Sequence, residues 1–295
     1  MNHYLKIFII ILAVITSLYL INLYISSSVN PELNYKYKHE YLDAIREHCC
    51  DYFVINRDKV TEKQLQTIEY PVIFKPNYCD GFAHGVKLVE NASEARKYIV
   101  DSVDKHIIVQ EFHPGPHEGT VYIRRIPGQK EATVYVVERV NPNANKDTKW
   151  LWRSSVSYKY KYYSKHRPDL ETTEFKSRII EITDKLPEVF LVRYDIRFSS
   201  YSQLRRGEGF KIIELNEYCS DTRYSHTNSK QDNLKILCEH LYNFYKIGIL
   251  NIARGNGVSL SKATSCLIDN QFRRAHKCKK YYVYSNMYKK FKKSF

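Results

Sequence analysis

The chain has 295 residues, a formal charge of +14 at neutral pH and 43% apolar residues. This length accommodates one large domain or two smaller ones with a substantial hydrophobic core. The apolar content excludes a chain that is disordered throughout, and 10 Gly with 9 Pro exclude a collagen-like or linker-dominated sequence. The seven Cys follow no metal-binding or disulfide spacing, and their odd number fits a reducing compartment.

The first strong pattern along the chain is an apolar segment at the N-terminus. Ile7–Ile25 contains 19 residues without a charge, close to the ~20 that cross a bilayer as a helix. We predict a transmembrane helix over residues 5–26 and a linker over residues 27–39. A cleaved signal peptide is the alternative, because small residues at Ser26–Ser28 follow the apolar run. More Lys and Arg follow the span than precede it, which predicts a single-pass protein whose folded part faces the cytosol.

Periodicity predicts the elements that follow the linker. Alternating or β-branched runs predict strands, and apolar residues every three to four positions predict helices. In chain order these are strands 70–75 and 86–90, helix 91–104, strands 106–112, 120–126 and 132–140, helix 172–186, strands 189–198 and 210–217, and helix 232–253. Antiparallel hairpins with helices between them indicate an α+β fold rather than a doubly wound parallel sheet. We predict that the folded domain spans residues 40–257.

The strands VRYDIRF and KIIELNE carry a cluster of polar side chains. If the two strands pair, side chains at every second position meet on one face. Carboxylate and amide oxygens on adjacent rigid strands form a donor set that suits Mg²⁺. A solvent-facing sheet surface with balanced charges is the alternative. Strict period two predicts that Ile213 and Leu215 share one face, and that the opposite face carries Arg193, Asp195, Glu214 and Asn216.

Two upstream segments have features of a nucleotide site. In YPVIFKPNYCDGFAHGV, Lys75 ends a strand and precedes a loop with Gly81 and Gly85. An ammonium and backbone N–H groups in this arrangement can hold a phosphate chain, although an exposed strand-end lysine has the same pattern. In HIIVQEFHPGPHE, a strand runs into a Pro/Gly turn whose backbone can bond adenine. Glu111 would accept from the adenine amino group, and Glu118 from ribose hydroxyls; a surface acid is the alternative for each of them.

The order of these segments resembles the ATP-grasp superfamily, in the branch that contains D-alanine–D-alanine ligase and related carboxylate–amine ligases. The segments that carry the resemblance are YPVIFKPN, GFAHGVKLV, IIVQEFHPGPHE and the pair VRYDIRF and FKIIELNE, within about residues 70–257. The resemblance implies an ATP-grasp fold, in which two α+β subdomains hold ATP between antiparallel sheets, here preceded by one transmembrane helix.

The resemblance also implies a role for individual residues. Lys75 would contact the α- and β-phosphates, and the loop would close over them. The implied nucleotide-binding residues are Lys75, Gly81, His84 and Gly85 at the phosphates, Gln110, Glu111 and Phe112 at adenine, and Glu118 at the ribose. The implied ligands of Mg²⁺, or of Mn²⁺ in its place, are Asp195, Glu214 and Asn216. The implied catalytic cations are Arg193, which would steady the developing oxyanion, and Arg139, in place of a family lysine at the γ-phosphate.

The implied reaction begins when a carboxylate attacks the γ-phosphate of ATP to give an acylphosphate and ADP. An amine, or a thiol, then displaces phosphate. The sequence departs from the family at Phe82 and His84, where small residues are usual, and in the short stretch before Tyr70, which cannot hold a complete N-terminal domain. No Gly-containing acceptor turn follows Asn216, so D-alanine is not the expected acceptor. A catalytically silent, membrane-tethered nucleotide-binding scaffold is the alternative function.

The C-terminal residues 258–295 form a basic tail. Residues 270–295 contain seven Lys, two Arg and no acid, which accounts for +9 of the total charge and leaves +5 for the rest. Such a tail fits anionic lipid or nucleic acid, and equally a solvated chain end. A third hypothesis is that the protein is a nucleic-acid-binding module. Only the composition of this tail supports it.

Overall fold

The computed structural model describes residues 3–31, 37–77, 85–102, 104–140, 163–186, 188–217, 230–259 and 261–263, and it leaves out the side chains at 3–6, 163, 164, 217 and 230. The predicted loop residues Gly81 and His84 and positions 264–295 of the basic tail lie outside this range. The chain divides into two compact units. One comprises Met1–Pro31 with Phe244–Phe295, and the other comprises Glu32–Asn243.

The first unit contains α1 (His3–Ser27) and the last part of α7 (Lys230–Ala253). Within α1, Ile7–Ser27 is long and apolar enough to span a membrane, and none of its apolar window is buried by other parts of the chain. The end of α1 leads into a buried turn. There Asn251 donates from Nδ2 to the carbonyl of Ser28 at 2.8 Å, which satisfies part of the backbone where α1 stops.

The second unit begins with a four-stranded antiparallel sheet in the order β1-β4-β2-β3. Its strands are β1 (Tyr52–Asn56), β2 (Val72–Pro76), β3 (Lys87–Val89) and β4 (His106–Glu111). Helices α3 (Glu62–Gln66) and α4 (Ala92–Asp101) cover one face. Asn91 accepts from the amide of Glu94 at 3.0 Å and caps α4, so the helix begins where the sequence offers an N-cap.

A five-stranded antiparallel sheet follows in the order β7-β6-β5-β8-β9. Its strands are β5 (His117–Arg125), β6 (Ala132–Val140), β7 (Tyr163–His166), β8 (Leu191–Phe198) and β9 (Phe210–Glu217). Helices α2 (Lys38–Asp43), α5 (Thr173–Thr183) and α6 (Tyr201–Arg205) contribute to the core on one side of this sheet. The predicted α+β class and antiparallel arrangement are therefore confirmed.

The alternation of the strands gives the five-stranded sheet an apolar and a polar face. The side chains that enter the core with α2 and α5 are Val121, Ile123, Val134, Val136, Val192, Tyr194, Ile196 and Leu215. The side chains on the other face are largely charged, and several of them are buried. Buried charges need partners, so this face is where a polar site can form.

A β-bulge in β9 alters the predicted alternation. Asp195 pairs with Glu214, but Ile196 pairs with Ile212, so Ile213 is an extra residue in β9. Strict period two predicted that Ile213 and Leu215 share one face of the strand. The bulge shows that this prediction is wrong. Ile212 takes the core position instead and is fully buried. A bulge adds one residue and changes the direction of neighbouring groups, which regular spacing does not predict.

Several short elements were not predicted from periodicity. They are β1, β7, α2, α3 and α6, each with four to six residues. Two 3-10 turns, Arg46–His48 and Pro168–Leu170, were also missed. Segments of this length contain too few repeats to establish a helix or strand period, and tertiary contacts decide their conformation.

The core position of Phe175 in α5 gives a stability prediction. Its side chain is fully buried and meets Phe210 edge to face, with ring centroids 5.8 Å apart. We expect Phe175→Ala to lower the free energy of unfolding by about 3–5 kcal/mol, because it removes apolar contacts and leaves a cavity. Urea unfolding of the detergent-solubilised full chain measures this change. The control Val100→Ala, at an exposed position, should change it by less than about 0.5 kcal/mol. Equal effects would contradict the core assignment.

Candidate functional site

The polar face of the five-stranded sheet brings the predicted metal ligands together. Asp195 on β8 lies opposite Glu214 on β9, and Arg193 lies opposite Asn216. Directly opposed residues in an antiparallel pair have Cβ atoms about 4.5–5.5 Å apart. Three oxygen-bearing side chains therefore occupy neighbouring positions on two hydrogen-bonded strands.

Two arginines surround the carboxylate of Asp195. Arg193 Nε lies 3.2 Å from Asp195 Oδ1, and Arg139 on β6 places one terminal nitrogen 3.6 Å from the same oxygen. The other terminal nitrogen of Arg139 donates to Glu118 Oε1 at 2.9 Å. Burial raises the pKa of Glu118, and the neighbouring arginines oppose that rise. These contacts join both predicted catalytic cations, the predicted ribose acid and one predicted metal ligand in a single network.

Lys75 on β2 links the four-stranded sheet to β9 of the five-stranded sheet. Its side chain is buried, and Nζ donates to Gln110 Oε1 and to the carbonyl of Ile213, both at 2.8 Å. The bulge at Ile213 therefore provides the acceptor in β9. Burial lowers the pKa of Lys75 to about 8, although the nearby carboxylate of Glu214 opposes the shift.

Lys38 is a site residue that the sequence analysis missed. It lies in α2, is buried, and places Nζ 2.9 Å from Glu214 Oε1. Burial alone would raise the pKa of Glu214, but Lys38 and then Lys75 lower it to about 2. Lys38 falls within the predicted linker, and α2 is too short to show a helical period. The Tyr37 amide donates to Glu40 Oε2 at 2.8 Å, a capping contact that marks the start of this helix.

Gln110 and Glu111, which were predicted to bind adenine, lie on opposite faces of the four-stranded sheet. Gln110 is on the same face as Lys75 and bonds to it. Glu111 is exposed, and its Oε2 accepts from the amide of Asp51 at 3.2 Å. It lines a groove of about 850 Å³ along β1 and α3, on the other side of the sheet from Lys75. The structure thus does not bring the Glu111 carboxylate to the polar face.

Arg197 is a second residue that was not singled out from the sequence. It follows Asp195 by two positions on β8 and pairs with Glu118 across the sheet. Its guanidinium lies 4.9 Å above the ring of Phe112 and donates to the carbonyl of Gly115 at 2.8 Å. Burial lowers its pKa. Strand alternation was the available signal, because it puts Arg197 on the same face as Asp195.

Gly85 is the part of the predicted phosphate loop that the structure describes. Its φ is +74°, a left-handed conformation, and an added Cβ would lie 2.8 Å from Pro76 Cγ. Both observations require glycine. The hydroxyl of Tyr98 donates to the Gly85 carbonyl at 2.6 Å, which fixes the end of the loop beside β2.

The side chains fit a hard divalent cation. Asp195 Oδ1 and the amide nitrogen of Asn216 are buried without a hydrogen bond, and rotation of the amide would present the Asn216 oxygen instead. Among the described residues, no group of three His, Cys, Asp or Glu side chains is placed to hold a metal. A site here therefore requires Asn216 as the third donor beside Asp195 and Glu214, and oxygen donors of this kind suit Mg²⁺.

The burial of Lys75 predicts a pH-dependent stability. Its ordinary pKa is 10.5 and its folded value is about 8, so the unfolded chain binds more protons between these values. The free energy of unfolding of the natural chain, relative to Lys75→Met, should therefore rise as the pH increases from about 8 to 10.5. Chemical denaturation across this range tests the sign. Lys59→Met, at an exposed lysine, should give a flat difference. A flat difference for Lys75→Met would show that its ammonium is not desolvated.

No protein-family model and no curated protein matches the sequence. Similarity appears among solved structures. The ATP complex of D-alanine–D-alanine ligase from Bacillus anthracis has 15% sequence identity and a TM-score of 0.50, covering 79% of this chain and 70% of that one. D-alanine–D-alanine ligase from Helicobacter pylori has 18% identity and a TM-score of 0.41, covering 68% and 59%.

The ADP complex of N5-carboxyaminoimidazole ribonucleotide synthetase has 15% identity and a TM-score of 0.43, covering 69% of this chain and 52% of that one. This chain thus spans between about half and 60% of the length of the synthetase and of the Helicobacter pylori ligase. At these identities the similarity concerns the fold. The two antiparallel sheets, the helices that cover them and the structural match to the Bacillus anthracis ligase establish that this chain has the ATP-grasp fold.

Proposed function

We propose that this protein binds ATP with Mg²⁺ and uses it to join a carboxylate to an amine or a thiol. The observation that carries the proposal is the contact of Lys75 with both sheets, beside the paired Asp195 and Glu214. The Bacillus anthracis ligase, which is similar to this chain in fold and whose structure was solved in complex with ATP, supports nucleotide binding by this protein.

The buried lysines would bind the phosphate chain. Lys75 and Lys38 both lie beside Glu214, and their ammonium groups are held by neutral acceptors and by that carboxylate. Asp195, Glu214 and Asn216 would hold Mg²⁺, whose charge offsets that of the phosphates. The carboxylate substrate and ATP are both anions, so their approach depends on this concentration of positive charge.

The arginines would act during transfer of the phosphoryl group. The substrate carboxylate oxygen would attack the γ-phosphorus, and the bond from phosphorus to the bridging oxygen of ADP would break. Arg193 and Arg139 each approach Asp195 and would stabilise the charge that develops on the transferred group. The amine or thiol would then attack the acylphosphate carbon and release phosphate, with no side-chain nucleophile.

A silent nucleotide-binding scaffold is the second candidate, and one observation favours it. Two of the acids predicted to contact ATP or metal are already in ion pairs, Glu118 with Arg139 and Glu214 with Lys38. A protein that binds nucleotide without turnover would keep these pairs. An active enzyme would exchange at least the pair at Glu214 for the metal.

We propose further that α1 anchors the protein as a single transmembrane span with its folded part in the cytosol. The length and apolar character of Ile7–Ser27 support the anchor, and a cytosolic location would supply ATP. The substrate would then be a small molecule or peptide that carries a carboxylate. The basic tail would add a contact to anionic lipid or nucleic acid.

Nucleotide binding is tested by thermal unfolding of the detergent-solubilised full chain. We expect saturating Mg-ATP to raise the Tm by several degrees, because a ligand that binds only the folded state stabilises it. Asp195→Asn with Glu214→Gln should remove most of this shift. Glu131→Gln, at an exposed acid next to β6, should retain it. An undiminished shift in the double variant would contradict the metal site.

Catalysis is tested by trapping an acylphosphate with hydroxylamine. We expect ADP and a hydroxamate to form together when the correct carboxylate is present in a panel of amino acids and peptides. Arg193→Lys should lower kcat about 10²-fold while Mg-ATP still raises the Tm, because the arginine acts on developing charge. Binding of Mg-ATP without hydroxamate from any carboxylate in the panel would favour the scaffold.

A further inference from the structure

The ion pair between Lys38 and Glu214 differs from the other pairs of the polar face in how its two side chains are covered. Nζ and Oε1 are 2.9 Å apart, and the lysine side chain is 9% exposed, whereas that of the carboxylate is 30% exposed. The ammonium is thus enclosed by protein, while the carboxylate keeps an open side that a ligand from solvent can reach. Glu214 is also a predicted metal ligand, so a cation of the protein itself is bound to a residue that would hold the metal.

Helix α2 fixes the position of this ammonium. The backbone amide of Lys38 donates to the carbonyl of Asn77 at 2.9 Å. Tyr41 and Leu42, which lie on the same helix, are buried in the core of the five-stranded sheet. Asn77 directly follows β2, where the predicted phosphate loop begins. The anchored helix therefore places Lys38 in contact with the start of this loop through its backbone and with Glu214 through its side chain.

The charged side chains around this pair carry more positive than negative charge. They are the cations Lys38, Lys75, Arg139, Arg193 and Arg197 and the carboxylates Glu118, Asp195 and Glu214. A free divalent cation would enter a region with a positive surplus and would be repelled by it. A triphosphate brings several negative charges, which offset both the surplus and the charge of the metal. The site therefore suits a metal–nucleotide complex better than the free metal.

We propose that Lys38 is a resident cation of the metal site, which holds Glu214 until a metal–nucleotide complex binds and then moves its ammonium from that carboxylate to the phosphates. The metal takes the place of the ammonium at Glu214, and the phosphates accept the released ammonium, so neither charge is left buried without a partner. The exchange couples the two ligands, because each binds more tightly when the other is present. This inference deepens the proposed function and rests on its metal site.

Binding of Mn²⁺ in the absence of nucleotide tests the proposal. Electron paramagnetic resonance measures the free ion in solutions of the detergent-solubilised full chain. We expect Lys38→Met and Lys38→Gln to lower the Kd for Mn²⁺ by about fivefold or more relative to the natural chain, because the competing ammonium is gone. Lys38→Arg keeps the charge and should stay within about twofold of the natural chain. The control Lys59→Met, at an exposed lysine, should leave the Kd unchanged.

The coupling is measured with a fluorescent ATP analogue, titrated into the same proteins in EDTA and in excess Mg²⁺. In the natural chain, Mg²⁺ should tighten binding of the analogue. In Lys38→Met this gain should be smaller by about threefold or more, because the metal no longer releases an ammonium to the phosphates. A merely structural role of Lys38 would change both affinities by the same factor and leave their ratio as it is, which would overturn the proposal.

The acid substitutions Asp195→Asn with Glu214→Gln separate failure of this inference from failure of the proposed function. If they abolish Mn²⁺ binding by the natural chain, while the neutral variants of Lys38 bind Mn²⁺ equally or more weakly, the role of Lys38 is overturned and the metal site stands. If neither the natural chain nor Lys38→Met binds Mn²⁺, or if the acid substitutions leave binding by Lys38→Met intact, the metal site is wrong and the inference fails with it. Should Lys38→Met not unfold cooperatively, Lys38→Gln decides.

Discussion

The ammonium of Lys75 is the contact on which the site depends. It lies between the side-chain oxygen of Gln110 in one sheet and the carbonyl of Ile213 in the other, so it joins the polar surfaces of the two sheets. A buried cation with two neutral acceptors is incompletely compensated, which the lowered pKa of Lys75 reflects. An anionic ligand in the same space would supply the missing negative charge.

The charges around Lys75 follow an order that explains why they can be buried. Glu118, Arg139, Asp195 and Arg193 alternate in sign along their contacts, and Lys38 with Glu214 forms a neighbouring pair. Each of these carboxylates is next to at least one cation, and Lys75 and Arg197 add positive charge beyond these pairs. Such a network holds the side chains in defined positions before any ligand arrives, and this preorganisation is what phosphoryl-transfer chemistry requires of a protein.

The sequence predicted the parts of this arrangement that depend on a regular period. Alternation in VRYDIRF and KIIELNE was sufficient to bring Asp195, Glu214 and Asn216 to one face, and the order of motifs predicted the fold. Lys38 was missed because a six-residue helix has no visible period and only tertiary structure brings it to Glu214. Glu111 was predicted to accept from adenine; its bond to the backbone amide of Asp51 places it on the face of the four-stranded sheet opposite Lys75, a contact between distant residues that no local pattern contains.

The bulge at Ile213 has a consequence for how this protein can change over evolution. With the extra residue, Ile212 fills the core while Glu214 and Asn216 stay on the polar face. Without the bulge, the same eight residues paired at strict period two would place Ile213 opposite Asp195 and turn the Glu214 carboxylate into the hydrophobic interior. Removal of Ile213 alone would restore a regular strand and leave Glu214 and Asn216 on the polar face, but it would take away the carbonyl that accepts from Lys75. Insertion of a further residue after Ile212 would need a second irregularity to keep Glu214 on that face, so selection should tolerate a shorter β9 better than a longer one.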